Sequence, residues 1–290
     1  MIAIEKRPAA TARQERGSWR QRLRDILIRP EPAVPDVVLG SEAARFAALP
    51  SGGMVCIKVS SAYDLPYPFA ASPAFVARVV EEVHAANPRL RIVLTEGGVG
   101  RNCVSEVAER QGLTSIPHAT FIDAETEAPV FVPNLCAAPY RTEGFYLPAH
   151  WVEADARVLL TTCKLRSHHF QRWFSGGTRN LIGLLPRREY RLAASRRDMR
   201  SAVHQQGMDA MVADLYGTTG RDVLTVLDCR LLARQDEHIP LRFARRVGQV
   251  LVAHDPCVAD RAMVERLRLP FLPPYLALIA TAEMKGVAPI

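Results

Sequence analysis

The sequence lacks the short cysteine spacings from which metal and iron–sulfur sites are usually built. It has six cysteines in 290 residues, and no two of them form a C-x-x-C pair. This excludes a standard zinc knuckle or iron–sulfur ligand run. Several cysteines lie in apolar, strand-like runs, where a buried free thiol is expected. We therefore predict no metal ligands, no intrinsic iron–sulfur cluster and a reducing, cytoplasmic compartment, and leave any other cofactor open.

Long hydrophobic runs are also missing. The N-terminus has no apolar region typical of a secretory signal. The most apolar stretch, residues 269–282, is too short and too rich in proline to span a bilayer. There are 37 Lys and Arg residues against 30 Asp and Glu, a net charge of +7. That excess is mild, and no nucleic-acid reader motif accompanies it, so we expect no membrane span and no nucleic-acid partner.

What the sequence does have is an alternation of buried strands and amphipathic helices. Ser72 and Pro73 are a suitable N-cap and first residue for a helix that ends near Asn87, and Asp255 is a suitable N-cap for a late helix. Alternating strands and helices predict an α/β fold with one central, mainly parallel sheet flanked by helices. The predicted strands cover residues 53–60, 91–96, 157–163, 223–228 and 249–253.

Two further segments complete the predicted organisation. Residues 120–150, rich in proline and aromatics, predict an irregular hairpin excursion. Residues 1–35 predict a tail with one short helix, and residues 36–290 a single Rossmann-like α/β domain.

Residues 163–188, CKLRSHHFQRWFSGGTRNLIGLLPRR, concentrate positive charge around a glycine turn. They include six Lys or Arg residues and two histidines, and no carboxylate. Thr178 is a candidate N-cap, and amide groups at a helix start bind phosphate or carboxylate. We predict an anion site here, with a solvated basic loop as the alternative. Its predicted members are Lys164, Arg166, Gly176, Gly177, Thr178, Arg179 and Asn180.

Parallel sheets bind ligands beyond the carboxyl ends of their strands, so the residues after each strand are the candidates for chemistry. His168 could act as a general acid or base. Glu96 could be a base or could pair with Lys58. Asp260 lies one turn beyond the Asp255 cap and is less easily explained by capping. Asp228 could be a site carboxylate or a turn residue.

The order of these pieces resembles the family known as domain of unknown function 362. The matching stretches are IKVS, TEGG, CKLRSHHFQRWFSGGTRNLIG, VLDC and HDPCVAD. Arg166 and Arg179 stand where the family usually has Lys, IKVS lacks the family's Pro-Asn, and CKL replaces PKL. The ferredoxin-like segment of many members is absent here. Residues that match the family directly are Lys58, Glu96, Lys164, His168, Asn180, Asp255 and Asp260.

The resemblance implies a fold and a site without naming a reaction. A short member such as this one looks like a tailoring enzyme of a biosynthetic pathway. The leading hypothesis is an enzyme of unassigned class that acts on a small anionic metabolite at the carboxyl edge of the sheet. A non-catalytic binding or carrier protein is the alternative, and a redox protein using an external iron–sulfur partner is the second. The chain could also form a homodimer.

Overall fold

The computed structural model describes residues 40–62, 64–98, 103–168, 171–192, 200–236 and 239–282. At residues 40–43, 166–168, 171–173, 234–236 and 239–243 the description is of the backbone alone. The predicted N-terminal tail and its helix lie outside these ranges. The division into residues 1–35 and 36–290 therefore stays a prediction.

Strands in the described ranges form one large sheet and one small sheet. Their bounds are β1 (Gly53–Lys58), β2 (Leu90–Glu96), β3 (Ala119–Asp123), β4 (Pro129–Pro133), β5 (Gly144–Pro148), β6 (Ala156–His168), β7 (Gln171–Ser175), β8 (Val223–Asp236) and β9 (Ile239–Ala253).

The large sheet has the strand order β3-β2-β1-β6-β8-β9, and β7 pairs with β6. β1, β2, β3, β6 and β8 are parallel to one another, whereas β7 and β9 run antiparallel to their neighbours. The prediction of one mainly parallel sheet is confirmed. The central strands read as continuous apolar runs because they are buried on both faces.

Helices flank this sheet. Their bounds are α1 (Pro73–Ala86), α2 (Val104–Arg110), α3 (Ala149–Val152), α4 (Gly177–Asn180), α5 (Arg187–Tyr190), α6 (Ser201–Gln205), α7 (Met208–Leu215), α8 (Pro256–Arg266) and α9 (Pro274–Thr281), with 3-10 turns at Gly40–Ala48, Leu113–Ser115 and Leu181–Leu184 and a π turn at Tyr216–Gly220.

The helix boundaries follow from local sequence signals. α1 begins at Pro73 and ends before Asn87, and its buried face is made of the apolar residues spaced three and four apart. α8 begins with Pro256 after its N-cap Asp255, whose Oδ1 accepts hydrogen bonds from the amide groups of Cys257 and Val258. Both starts agree with the sequence prediction.

The predicted hairpin excursion is also present. β4 and β5 pair antiparallel and form the small sheet. The prediction differs at its start, since β3 lies within residues 119–123 and joins the large sheet in parallel with β2.

The strand order reverses between β1 and β6. From β1 the chain adds β2 and then β3 on one side, and later adds β6, β8 and β9 on the other. β6 continues past the end of β1, where it pairs with β7 on the edge opposite β8. In open α/β sheets ligands bind outside the carboxyl ends of the strands at such a reversal.

Candidate functional site

A buried ion pair lies at the carboxyl ends of β1 and β2. Nζ of Lys58 donates to Oε1 of Glu96 at 2.6 Å, to the carbonyl oxygen of Val59 at 2.9 Å and to Oδ1 of Asn180 at 2.9 Å. An ammonium group has three hydrogens, and protein acceptors take all three. Burial lowers the pKa of Lys58, while the carboxylate of Glu96 acts in the opposite direction.

The carboxylate of Glu96 is equally well bonded. Besides Lys58, it accepts from the amide of Gly97 at 2.9 Å and from the amide of Ser61 at 2.8 Å. The backbone of Gly183 packs directly on the pair, because a Cβ there would lie 2.5 Å from Nζ of Lys58. The pair therefore fastens three segments together: the end of β1, the end of β2 and the turn that follows α4.

Arg200 binds the backbone that surrounds the ion pair of Lys58 and Glu96. Its buried guanidinium donates to the carbonyl oxygens of Leu185 at 2.8 Å, Gly98 at 2.7 Å and Gly183 at 3.3 Å. Glu125 lies 3.6 Å from it. Its charge also contributes to the lowered pKa of Lys58, after burial, the largest cause. Arg200 thus fixes Gly183 and the end of β2 against the ion pair.

Lys164 occupies the other side of the reversal, on β6. Its buried Nζ donates to Oγ of Ser60, which follows β1, at 3.2 Å. This contact joins the two strand ends between which the topological rule places a ligand. Ser60 was not among the predicted site residues, although it stands in the strand-end stretch IKVS.

The amide groups of the glycine turn are bonded within the protein. Oδ1 of Asp260 accepts from the amide of Gly177 at 2.7 Å, and Oδ2 accepts from the amide of Thr178 at 3.0 Å and from the Tyr275 hydroxyl at 3.0 Å. Burial raises the pKa of Asp260 to about 6, although these hydrogen bonds oppose the shift.

This contact corrects two expectations. The expected open amides of the turn are taken by Asp260, an acid 83 residues away from Gly177. α4 begins at Gly177 with Gly176 as its N-cap, so Thr178 is not the cap. Gly176 is required here because a Cβ would meet Oδ1 of Asp260 at 2.1 Å.

The other three predicted cationic or titratable members of the site are Arg179, Arg166 and His168. Nη1 of Arg179 lies 3.9 Å from Oδ1 of Asp209 on α7. Burial raises the pKa of Asp209, whereas Arg179 acts to lower it. The side chains of Arg166 and His168 lie outside the described residues, and only their place on β6 is described.

Asp228, inside β8 and level with Thr162 of β6, forms a buried pair with a neighbour in sequence. Arg230 donates to both of its carboxylate oxygens, at 2.9 and 2.8 Å. The hydroxyl of Tyr67 donates to Oδ1 of Asp228 at 3.0 Å and accepts from the amide of Leu231 at 2.9 Å. The loop after β1 therefore reaches across β6 to β8.

The part of the chain that the structure describes contains no group of three His, Cys, Asp or Glu side chains that could hold a metal ion. Within the same ranges, no helix is long and apolar enough to cross a membrane.

Comparison with known proteins identifies the family. The chain matches the family described as Domain of unknown function (DUF362) over residues 55–265. The chain belongs to this family. No curated protein matches it. Among solved structures it is similar to the lactate racemase apoprotein from Thermoanaerobacterium thermosaccharolyticum, with 15% identity, a TM-score of 0.46, and coverage of 77% of this chain and 51% of that chain. The chain thus spans about half of that protein's length, and a likeness of this size carries no argument about function.

The DUF362 region brings together residues that are far apart in sequence. Lys58, Glu96 and Asn180 meet in one hydrogen-bonded cluster. Asp260 meets the glycine turn, and Lys164 meets the end of β1. The DUF362 stretches therefore meet mainly at the carboxyl edge of the sheet, where they join neighbouring strand ends.

Proposed function

We propose that the protein is an enzyme that acts on a small anionic substrate, a carboxylate or a phosphate, in the crevice between the carboxyl ends of β1 and β6. A biosynthetic tailoring step fits this proposal. The observation that carries it is the contact between Lys164 and Ser60. It puts a buried cation and a hydroxyl at the point of strand reversal, the usual ligand position in an open α/β sheet.

In this proposal Lys164 contacts the anion, whereas the amides of Gly177 and Thr178 stay bonded to Asp260 and Arg179 stays beside Asp209. A charge-assisted hydrogen bond to an oxyanion is stronger than a neutral one and holds the ligand in one orientation. The pair of Lys58 and Glu96 keeps the strand ends in place beside it.

Proton transfer falls to His168, with Glu96 or Asp260 as its carboxylate partner. Burial raises the pKa of Asp260 to about 6, so its carboxyl changes protonation near neutral pH, while its oxygens accept from Gly177, Thr178 and Tyr275. Glu96 can exchange a proton with Lys58 over 2.6 Å.

Anion binding tests the site. Inorganic phosphate or acetate should raise the melting temperature of the wild type. Lys164→Met keeps the length of the side chain and removes its charge, and should weaken the anion about ten- to a hundredfold. Arg89→Ala is the matched control: Arg89 is exposed and precedes β2, at the opposite edge of the sheet. Equal anion responses in all three proteins would contradict the proposal.

Stoichiometry separates an enzyme from a carrier. Mixtures of small carboxylates and phosphate esters are incubated with catalytic amounts of protein and followed by mass spectrometry. An enzyme consumes many equivalents of one compound, and Lys164→Met consumes far less. A binding protein depletes one equivalent at most and leaves the compound chemically unchanged.

A further inference from the structure

On β6 and the segment after β1, two buried hydroxyl groups have no hydrogen-bond partner among the described residues: Oγ of Ser61 and Oγ1 of Thr162. Ser61 is 2% exposed and Thr162 is 1% exposed. Buried polar side-chain atoms are nearly always hydrogen-bonded, because otherwise the bonds they made to water are lost without replacement. A ligand oxygen or an ordered water would supply the missing hydrogen bond to each of these hydroxyls.

Both hydroxyls stand next to the candidate anion site. Ser61 follows Ser60, the residue that Lys164 contacts, and its amide donates to Glu96. Thr162 lies on β6, two residues before Lys164. One unsatisfied hydroxyl thus belongs to the residue after Ser60, and the other to the strand that carries Lys164, and the strand order reverses between β1 and this strand.

Two hydrogen bonds fix the described parts of the segment that follows β1. Its ends are joined, since the amide of Ala71 donates to the carbonyl oxygen of Ser60 at 2.8 Å. Its tip is held at β8 by the hydroxyl of Tyr67, which donates to Asp228. Asp228 is the register partner of Thr162, and β6 lies between β1 and β8. The loop therefore spans the carboxyl end of β6 beside Thr162.

We propose that the hydroxyls of Ser61 and Thr162 complete, with Lys164 and Ser60, the subsite that binds the oxyanion group of the substrate. The inference rests on the proposed function and specifies how that site recognises its ligand. Three hydroxyl donors beside one ammonium suit a group with several acceptor oxygens, such as a phosphate or a carboxylate.

A substitution that removes an unsatisfied hydroxyl has an unusual expected signature. Ser61→Ala and Thr162→Val should melt at the same temperature as the wild type or higher when no anion is present, because a buried group without a partner is gone. Each should also bind inorganic phosphate or acetate roughly tenfold more weakly, because a hydrogen bond to a charged group is lost. A purely structural hydroxyl would instead lower the melting temperature in the absence of the anion.

The experiment is a thermal-shift titration of the full chain with inorganic phosphate and, separately, with acetate. The variants are Ser61→Ala, Thr162→Val and Lys164→Met, and Ser115→Ala removes an exposed hydroxyl as the control. The anion that gives the larger shift shows whether a tetrahedral or a planar oxyanion fits.

Unchanged stability with a weakened response in both hydroxyl variants supports the inference. If only Lys164→Met loses its response, the inference is wrong and the proposed function stands. If neither anion raises the melting temperature of the wild type, both the inference and the proposed function are overturned. A drop of several degrees in the hydroxyl variants without anion also overturns the inference.

Discussion

Glu96→Gln should be among the most destabilising single changes in this protein. The carboxylate of Glu96 accepts from Lys58, from the amide of Ser61 and from the amide of Gly97, and the pair with Lys58 is out of contact with solvent. The neutral amide of glutamine has a single acceptor oxygen for these three donors and leaves the ammonium uncompensated. Breaking a buried ion pair by removing one partner costs about 3–5 kcal/mol.

Urea unfolding at 25 °C measures this loss. With a denaturant slope of about 3 kcal/mol/M, the midpoint should fall by about 1 M or more. The double variant Lys58→Met/Glu96→Gln should lose much less than the sum of the two single losses, because no unpaired charge stays buried. Glu82→Gln breaks an exposed pair with Arg78 and should cost under about 0.5 kcal/mol.

The stability lost in Glu96→Gln should also depend on pH. Without Glu96, burial acts on Lys58 unopposed and lowers its folded pKa further. Between that pKa and the ordinary value of about 10.4, the folded amine is neutral while the unfolded one is protonated. The unfolded state then binds more protons, so the variant gains stability as pH rises and its deficit narrows. A loss below about 1 kcal/mol, or strictly additive single losses, would refute this account of the pair.

Three further predictions concern the surroundings of the site. Tyr67→Phe should speed amide hydrogen exchange in the loop after β1, since it removes the hydroxyl that ties the loop to β8, whereas Tyr146→Phe, at an exposed position, should not. Asp260→Asn should gain stability relative to the wild type by about 2 kcal/mol between pH 4 and pH 7 in urea unfolding. The reason is that a folded pKa of about 6 against 3.8 in the unfolded state makes the wild type lose stability as pH rises; parallel profiles would contradict this. Gly183→Ala should lower the free energy of unfolding by about 1–3 kcal/mol, because the added Cβ would meet the ion pair of Lys58 and Glu96. Gly52→Ala, with open space around it, should leave the free energy of unfolding nearly unchanged in the same urea assay.

The sequence predicted those features that local patterns encode. The apolar runs of β1 and β2 identified buried strands, and the spacing in α1 identified its buried face. The N-cap positions Ser72 and Asp255 were predicted from residue type and from the proline that follows each of them. Pairing of Glu96 with Lys58 was one of two alternatives, because both residues end parallel strands and such ends meet at one edge.

Features that depend on distant contacts were not predictable in this way. Nothing near Gly177 indicates that Asp260 reaches its amide from α8, and the acid-free basic segment therefore suggested open donors. Arg200 lies in a run of basic residues that reads as a solvated loop, and its burial follows only from the carbonyl oxygens packed around it. The strand at 249–253 was predicted, but its antiparallel direction was not, because an apolar run does not reveal strand direction.

The central claim is that the crevice between β1 and β6 is the ligand site of this protein. Crystals grown with selenate test it most directly, since selenium gives an anomalous signal at a defined position. The account predicts a selenium peak about 4 Å from Nζ of Lys164 and close to Oγ of Ser60, so that a selenate oxygen lies within hydrogen-bond distance of Nζ. Selenate bound only at exposed arginines, with the surroundings of Lys164 empty at a concentration that stabilises the protein, would contradict it.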